Sequence, residues 1–117
     1  MQFSMRVLGV HEDGQWCAIA LEMSLRGYGD TFEDALEDLQ DAVEAQVSFA
    51  VQHDTLDSIW VAAEPHYVEL YQQSRRRALR HYLESEGDSM FADEGDDYAA
   101  SDMLLPKSDH TAFEAIA

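Results

Sequence analysis

Carboxylates are the side chains of this chain with the most capacity for chemistry, because 24 of its 117 residues are Asp or Glu. A two-metal nuclease site needs several such groups to converge from the ends of strands and helices. Glu22 is the only acid within the strands predicted below. Several others share one predicted helix, mostly on its solvent side, among them Glu33, Glu37, Asp38 and Asp41. This distribution disfavours a metal-dependent nuclease and indicates an acidic surface.

The other reactive side chains form no recognisable catalytic or metal-binding pattern. The histidines include no i, i+4 pair and have no cysteine companions, which disfavours zinc binding. No nucleophile-elbow motif supports Ser-His-Asp chemistry. Cys17 is the only cysteine, and its apolar strand context predicts a small core residue. We therefore predict a protein that is not an enzyme and that has no catalytic residue, metal or cofactor.

Most of the arginines lie in one cluster, Arg75, Arg76, Arg77 and Arg80. Residues three or four apart on a helix are neighbours, so these side chains form one patch. One interpretation is a contact with RNA or phosphate. The other, which we favour, is a group of cations near a helix C-terminus. There the helix dipole stabilises them, and they can pair with the acidic segment that follows.

The charge balance is strongly acidic, with 7 basic residues and a formal net charge of -17. Such a surface keeps a protein soluble, repels nucleic-acid phosphates and attracts basic proteins. No apolar run approaches the ~20 residues of a membrane span. The N-terminus also lacks the pattern of a signal peptide. We therefore expect a cytoplasmic protein that does not contact membranes.

The elements that must position these side chains begin with a β-hairpin. Residues 3–10 and 16–23 are predicted strands, and Asp13-Gly14 is the turn between them. A short third strand follows at residues 25–28. These strands predict a small three-stranded antiparallel sheet. Because edge strands of such sheets pair readily, a homodimer or higher oligomer is expected.

The first helix is specified by its N-terminal sequence. Thr31 is a favourable N-cap, Asp34 follows in a capping-box-like position, and acids occupy the first turn. Apolar residues then recur at helical spacing as far as about residue 52. The sequence therefore predicts an amphipathic helix that packs on the sheet.

Alternation along the second strand predicts which residues that helix covers. Cys17, Ile19, Leu21 and Met23 form a wholly apolar set, which we expect to face the helix. Trp16, Ala18, Ala20 and Glu22 form the opposite set. That second face needs a second helix or a partner protein to cover it.

The rest of the chain divides into a domain and a tail. Residues 59–62 are predicted as a fourth strand, and residues 65–84 as a second helix that starts at a proline. From residue 85 the composition becomes acidic, with two glycines and a proline. We therefore predict one α+β domain over residues 1–84 and a mostly disordered acidic tail over residues 85–117.

Residues 3–62 resemble the HicB-type antitoxin domain. The resemblance rests on the Asp13-Gly14 turn, Trp16, Ala18, Gly29-Asp30-Thr31, Glu33, Ala35-Leu36 and Leu39. It implies a partial ribonuclease-H-like fold, with a three-stranded antiparallel sheet, a helix and a further strand. It also implies a basic partner, a HicA-type toxin that cleaves RNA and whose active surface the antitoxin covers.

Two features depart from the family pattern. Leu21-Glu22-Met23-Ser24 stands where the family often has a proline after the second strand. Many family members also carry a C-terminal DNA-binding module, whereas residues 85–117 have neither its predicted helices nor its positive charge. Direct DNA binding is therefore disfavoured.

These observations predict a non-catalytic antitoxin or inhibitor that binds a basic protein. The predicted contact residues are Trp16, Glu22, Glu33, Glu37, Asp38 and Asp41. Acids would steer the partner, and apolar sheet residues would supply most of the affinity. The alternative is a stand-alone acidic nucleic-acid mimic or a dimerisation module without a toxin partner.

Overall fold

The computed structural model describes residues 4–84 and 97–104 of the chain. A four-stranded antiparallel sheet, in the order β3-β2-β1-β4, carries one helix on each face. The predicted α+β class is confirmed, but the sheet has four strands rather than three. The elements are β1 (Ser4–Glu12), β2 (Gln15–Ala20), β3 (Arg26–Gly29), α1 (Phe32–Gln52), a 3-10 helix (Leu56–Ile59), α2 (Pro65–Glu84) and β4 (Tyr98–Leu104).

The turn between β1 and β2 is formed by two residues with positive φ, Asp13 (53°) and Gly14 (75°). A two-residue turn of this kind matches the twist of the flanking strands, and Asp-Gly is a preferred sequence for it. It places Glu12 opposite Gln15 and Val10 opposite Cys17. The predicted hairpin is therefore confirmed.

Helix α1 begins where the sequence predicts. The Thr31 side chain accepts a hydrogen bond from the Asp34 backbone N–H at 3.1 Å, which satisfies one free donor of the first turn. The helix then packs closely against β3. A Cβ atom at Gly27 would collide with the α1 backbone at Ala35 and Leu39, so only glycine permits this approach.

The faces of β2 are the reverse of the prediction. Ala18 and Ala20 lie beneath α1, whereas Ile19 and Leu21 belong to the cluster that packs against Tyr71 of α2. The physical reason is size, since a helix can approach a surface of alanine and glycine more closely than one of branched side chains. Met23 is on the α1 side because β2 ends at residue 20 and the turn that follows breaks the alternation.

The fourth strand does not lie at residues 59–62. Those residues include the end of the 3-10 helix and an extended link outside the sheet. Strand β4 is instead Tyr98–Leu104, which pairs antiparallel with β1. The prediction of a disordered tail is therefore wrong for residues 98–104, and a boundary at residue 84 separates β4 from its own sheet. The remainder of the predicted tail, 85–96 and 105–117, lies outside the described residues.

Candidate partner-binding surface

The outer side of α1 carries a continuous acidic row. Glu33, Glu37 and Asp41 are all exposed and are spaced four residues apart. Successive members are therefore about 6 Å apart along the helix axis and lie on the same side of it. The helix sequence FEDALEDLQDAVEAQVSFAVQ contains six acids and no Lys or Arg. The row consequently presents negative charge that no basic residue of α1 offsets.

Asp38, the fourth predicted acid of this helix, has a structural role. Its carboxylate accepts a hydrogen bond from the Tyr28 backbone N–H at 2.8 Å. This bond joins α1 to β3 at the point where Gly27 allows the two elements to approach. Asp38 thus helps to fix the orientation of the helix that carries the acidic row. One of its carboxylate oxygens already accepts the Tyr28 hydrogen bond.

Trp16 is half-buried and packs within the protein. Its ring stacks on His11 with centroids 4.9 Å apart and contacts Phe32 at 5.4 Å. Phe32 is the first residue of α1 and belongs to the core beneath that helix. The indole therefore closes one end of the core, and α1 rather than a second helix or a partner covers the Trp16 face of the sheet.

Glu22 ends the hydrogen-bonded ladder between β1 and β2. One carboxylate oxygen accepts from the Arg6 backbone N–H at 2.8 Å, and the other accepts from Arg6 Nε at 2.7 Å. The backbone partner expected at this position, the Leu21 carbonyl, accepts from the Ala63 N–H instead, at 2.8 Å. Glu22 thus replaces a missing backbone acceptor, which places it outside the acidic row.

Phe49 was not among the predicted contacts. Its side chain is 57% exposed and stacks on His53 with ring centroids 4.0 Å apart. It lies about two turns beyond Asp41 on the same helix. The available sequence signal was its position outside the buried stripe, because Val47 and Ala50 occupy that stripe on either side of it.

The arginine cluster lies on α2, on the opposite face of the sheet from the acidic row. Arg75 donates to Asp102 of β4 at 2.8 Å and to the Tyr71 hydroxyl at 3.1 Å. The hydrogen bond to Asp102 raises the pKa of Arg75. Asp102 belongs to the acidic C-terminal segment, so this contact is of the kind favoured for the cluster. The other members, Arg76, Arg77 and Arg80, are exposed on the same helix.

A cleft of 390 Å³ opens between α2 and strands β2 and β3, and no pattern in the sequence predicts it. The Arg26 guanidinium lies over the Tyr67 ring, 5.4 Å from its centroid, and donates to the Tyr67 hydroxyl at 3.2 Å. That hydrogen bond raises the pKa of Arg26. Cys17, Tyr28 and Leu70 also line the cleft. The Arg26 guanidinium is therefore already engaged by a side chain of the cleft itself.

Neither a metal site nor a membrane span is found in the part of the chain that the structure describes. Its His, Cys, Asp and Glu side chains form no group of three that could hold a metal ion. Neither helix within the described residues is both long and apolar enough to cross a bilayer. Comparison with protein-family models, with curated proteins and with solved structures finds no match to this chain.

Proposed function

We propose that this chain is a non-catalytic antitoxin of the HicB-like kind, which binds and inhibits a basic protein, a HicA-like ribonuclease toxin. The partial ribonuclease-H-like assignment of its sheet and α1 is part of the proposal. The supporting observation is the exposed acidic row of Glu33, Glu37 and Asp41 on a helix without a single Lys or Arg. Inhibition would occur by steric cover of the toxin's basic surface.

The contacts that fix α1 on the sheet favour binding of a basic partner. The helix is held by its N-cap at Thr31, by the bond from Tyr28 to Asp38, and by a buried stripe that runs its whole length. Charges on a fixed scaffold lose little freedom when a partner docks, so more of their interaction appears as affinity. They also steer a cationic protein before contact and so raise the association rate.

The apolar part of the interface must differ from the one predicted. Both faces of the described sheet are covered by helices, so the strand residues proposed as the source of affinity are buried. Phe49 offers an exposed aromatic ring on α1 itself. Aromatic anchors commonly carry much of the free energy of an interface. We therefore assign steering to the acidic row and persistence of the complex to Phe49.

The test is the kinetics of binding to a purified HicA-like toxin at low and high ionic strength. The triple variant Glu33→Gln, Glu37→Gln, Asp41→Asn should lower the association rate constant about tenfold at low salt, with little change in dissociation. Phe49→Ala should instead raise the dissociation rate about tenfold. At about 1 M salt the triple variant should associate as fast as the wild type, because charges are then screened within about 3 Å.

The matched control neutralises three exposed acids elsewhere, Glu12→Gln, Asp57→Asn and Glu69→Gln. Both triple variants change the net charge equally, so only the location of the charge differs. Equal slowing by the two variants would refute the assignment to α1. Failure of the toxin to bind, with its ribonuclease activity unchanged by excess protein, would refute the antitoxin function itself.

A nucleic-acid mimic makes a different prediction for the acidic C-terminal segment. In that case the acids of residues 85–117 would carry the affinity, and replacing those outside β4 with Asn and Gln would abolish binding. Truncation cannot make this test, because an end before β4 removes a strand of the sheet and an end at Leu104 removes only Asp109 and Glu114. In the antitoxin proposal the substituted chain binds the toxin more weakly but still inhibits it.

A further inference from the structure

Strand β4 forms one edge of the sheet, and no other described strand pairs with its outer side. It is seven residues long, YAASDML, and contains neither the proline nor the lysine that commonly protects an edge. The opposite edge, β3, has only four residues, and short edges resist pairing. Of the two edges, β4 is therefore the template for an additional strand.

The hydrogen bond from the His11 N–H to the Asp97 carbonyl, 2.7 Å long, shows which backbone groups of β4 remain available. Hydrogen-bonded pairs alternate along an antiparallel ladder, so the odd-numbered residues of β4 bond to β1. The even-numbered residues therefore direct their N–H and C=O groups away from the sheet. These residues are Tyr98, Ala100, Asp102 and Leu104.

Helix α2 places an apolar stripe above the same edge. The helix packs mainly on β4, and Arg75 reaches Asp102, a residue whose backbone N–H and C=O point to the open edge. Leu79 is four residues and Tyr82 seven residues after Arg75, so both share its side of α2, and they are 49% and 42% exposed. Leu104 lies two residues beyond Asp102 on the same face of β4 and is 54% exposed. The outward-facing N–H and C=O groups of β4 and these exposed apolar side chains thus lie at the same edge of the sheet.

Charge determines which occupant this edge can accept. Two copies of a chain with net charge -17 repel each other over most of their surfaces. At the β4 edge, however, the Asp102 carboxylate is paired with Arg75, and Arg76 is exposed nearby on the same helix. Asp102 is the only acid of β4 itself, so a second copy can pair with the residues of this strand without bringing unpaired carboxylates of the two strands together.

We propose that the chain forms a two-fold symmetric dimer by antiparallel pairing of β4 with β4 of a second copy, centred on Ser101. This register engages all the outward-facing residues, with Ala100 opposite Asp102 and Tyr98 opposite Leu104 of the other copy. It creates one continuous sheet across the dimer. It also brings the two α2 stripes side by side, which covers Leu79 and Tyr82. The acidic rows of α1 remain exposed on the other face of the sheet.

The register is tested by cross-linking. Ser101 would face its own symmetry mate at a non-hydrogen-bonded position, where Cα atoms are about 4.5 Å apart, within the range of a disulfide. In a Cys17→Ser background, Ser101→Cys should form a covalent dimer of about twice 13.2 kDa on mild oxidation. The control, Ser58→Cys, exposes a thiol on the 3-10 helix and should remain monomeric on a denaturing gel.

The pairing itself is tested by sedimentation of the full chain. The wild type should sediment as a dimer at about 100 µM. Ala100→Pro removes an outward N–H without removing a bond to β1, and proline is tolerated at such edge positions, so this variant should be a folded monomer. If Ala100→Pro does not fold, Leu104→Lys replaces it as the test variant. This substitution adds a charge at the edge and should weaken dimerisation at least tenfold.

The dependence on salt concentration distinguishes the β4 dimer from the binding of a basic toxin. Repulsion between like-charged copies is screened by salt, so dimerisation should strengthen severalfold from about 0.01 M to about 0.15 M ionic strength. Binding of a basic toxin should weaken over the same range. A monomeric wild type, no cross-link at Ser101, or a dimer unaffected by both edge variants would each overturn the β4 dimer. None of these results would affect binding of a toxin to α1.

Discussion

The Tyr71 hydroxyl joins helix α2 to strand β4, and its removal tests the account of how β4 is held. Tyr71 is 5% exposed, and its ring packs in the cluster with Leu8, Ile19 and Leu21. The hydroxyl donates to the Asp102 carboxylate at 3.0 Å and accepts from Arg75 at 3.1 Å. Tyr71→Phe removes only these two hydrogen bonds and leaves the packing of the ring in place.

The expected cost of Tyr71→Phe follows from the groups that remain. A hydrogen bond to a charged group contributes about 1.5–3 kcal/mol. Asp102 and Arg75 are each about half exposed and keep their own 2.8 Å contact, so water and that ion pair recover part of the loss. We therefore expect a decrease of about 1 kcal/mol in the free energy of unfolding, or about 4 °C in melting temperature.

The pH dependence of the free energy of unfolding supplies a second test of the Tyr71 hydrogen bonds. Burial, followed by the hydrogen bond to Asp102, raises the pKa of Tyr71. A raised pKa in the folded state means that folding favours the protonated hydroxyl. Its stabilisation is present below the ordinary tyrosine pKa of about 10 and is lost as the pH rises through the folded value. The stability difference between wild type and Tyr71→Phe should therefore narrow above about pH 10.

Urea denaturation at pH 8 and at several values up to about pH 11 measures both effects. Tyr28→Phe is the matched control, because Tyr28 is exposed and its hydroxyl has no partner among the described residues. Its stability should parallel the wild type throughout the pH range. A Tyr71→Phe variant as stable as the wild type at pH 8, or one whose deficit is independent of pH, would refute the reasoning.

Three further substitutions test local features of the fold by urea denaturation followed by circular dichroism. Thr31→Ala removes the N-cap hydrogen bond of α1 and should cost about 1 kcal/mol; Thr55→Ala, which removes no cap bond, should cost less than about 0.5 kcal/mol. Gly27→Ala drives a methyl group into the α1 backbone and should cost about 3 kcal/mol. Glu22→Ala leaves the Arg6 N–H without an acceptor and should cost about 2 kcal/mol. Equal effects of the two threonine variants, or near-neutral effects at Gly27 or Glu22, would contradict the corresponding assignments.

The sequence predicted the features that depend on local backbone preference. The turn at Asp13-Gly14 needs two residues that accept positive φ, and the start of α1 needs a short side-chain acceptor at Thr31. Both requirements involve residues adjacent in the chain. The acidic row was likewise predictable, because helical spacing alone places Glu33, Glu37 and Asp41 together.

The roles of Trp16, Glu22 and Asp38 could not be read in the same way. An indole, a strand-end carboxylate and a helical carboxylate are all plausible contact residues by type. Each instead contacts a residue of a different element of the fold. Glu22, for example, accepts the hydrogen bond that the Leu21 carbonyl would otherwise accept, because that carbonyl is bonded to the Ala63 N–H. Such an exchange of hydrogen-bond acceptors depends on where the link to α2 crosses the sheet.

By itself, then, the sequence determined where the first turns and helices begin, and which side of α1 is acidic, because those outcomes rest on interactions over a few residues. Tertiary structure decided which face of β2 lies under α1 and where the fourth strand is found. Both strand faces are apolar, so the choice depended on how closely α1 could approach alanine and glycine. Strand β4 has a weak apolar pattern and an acid at Asp102, and it exists because β1 pairs with its backbone and α2 binds that acid.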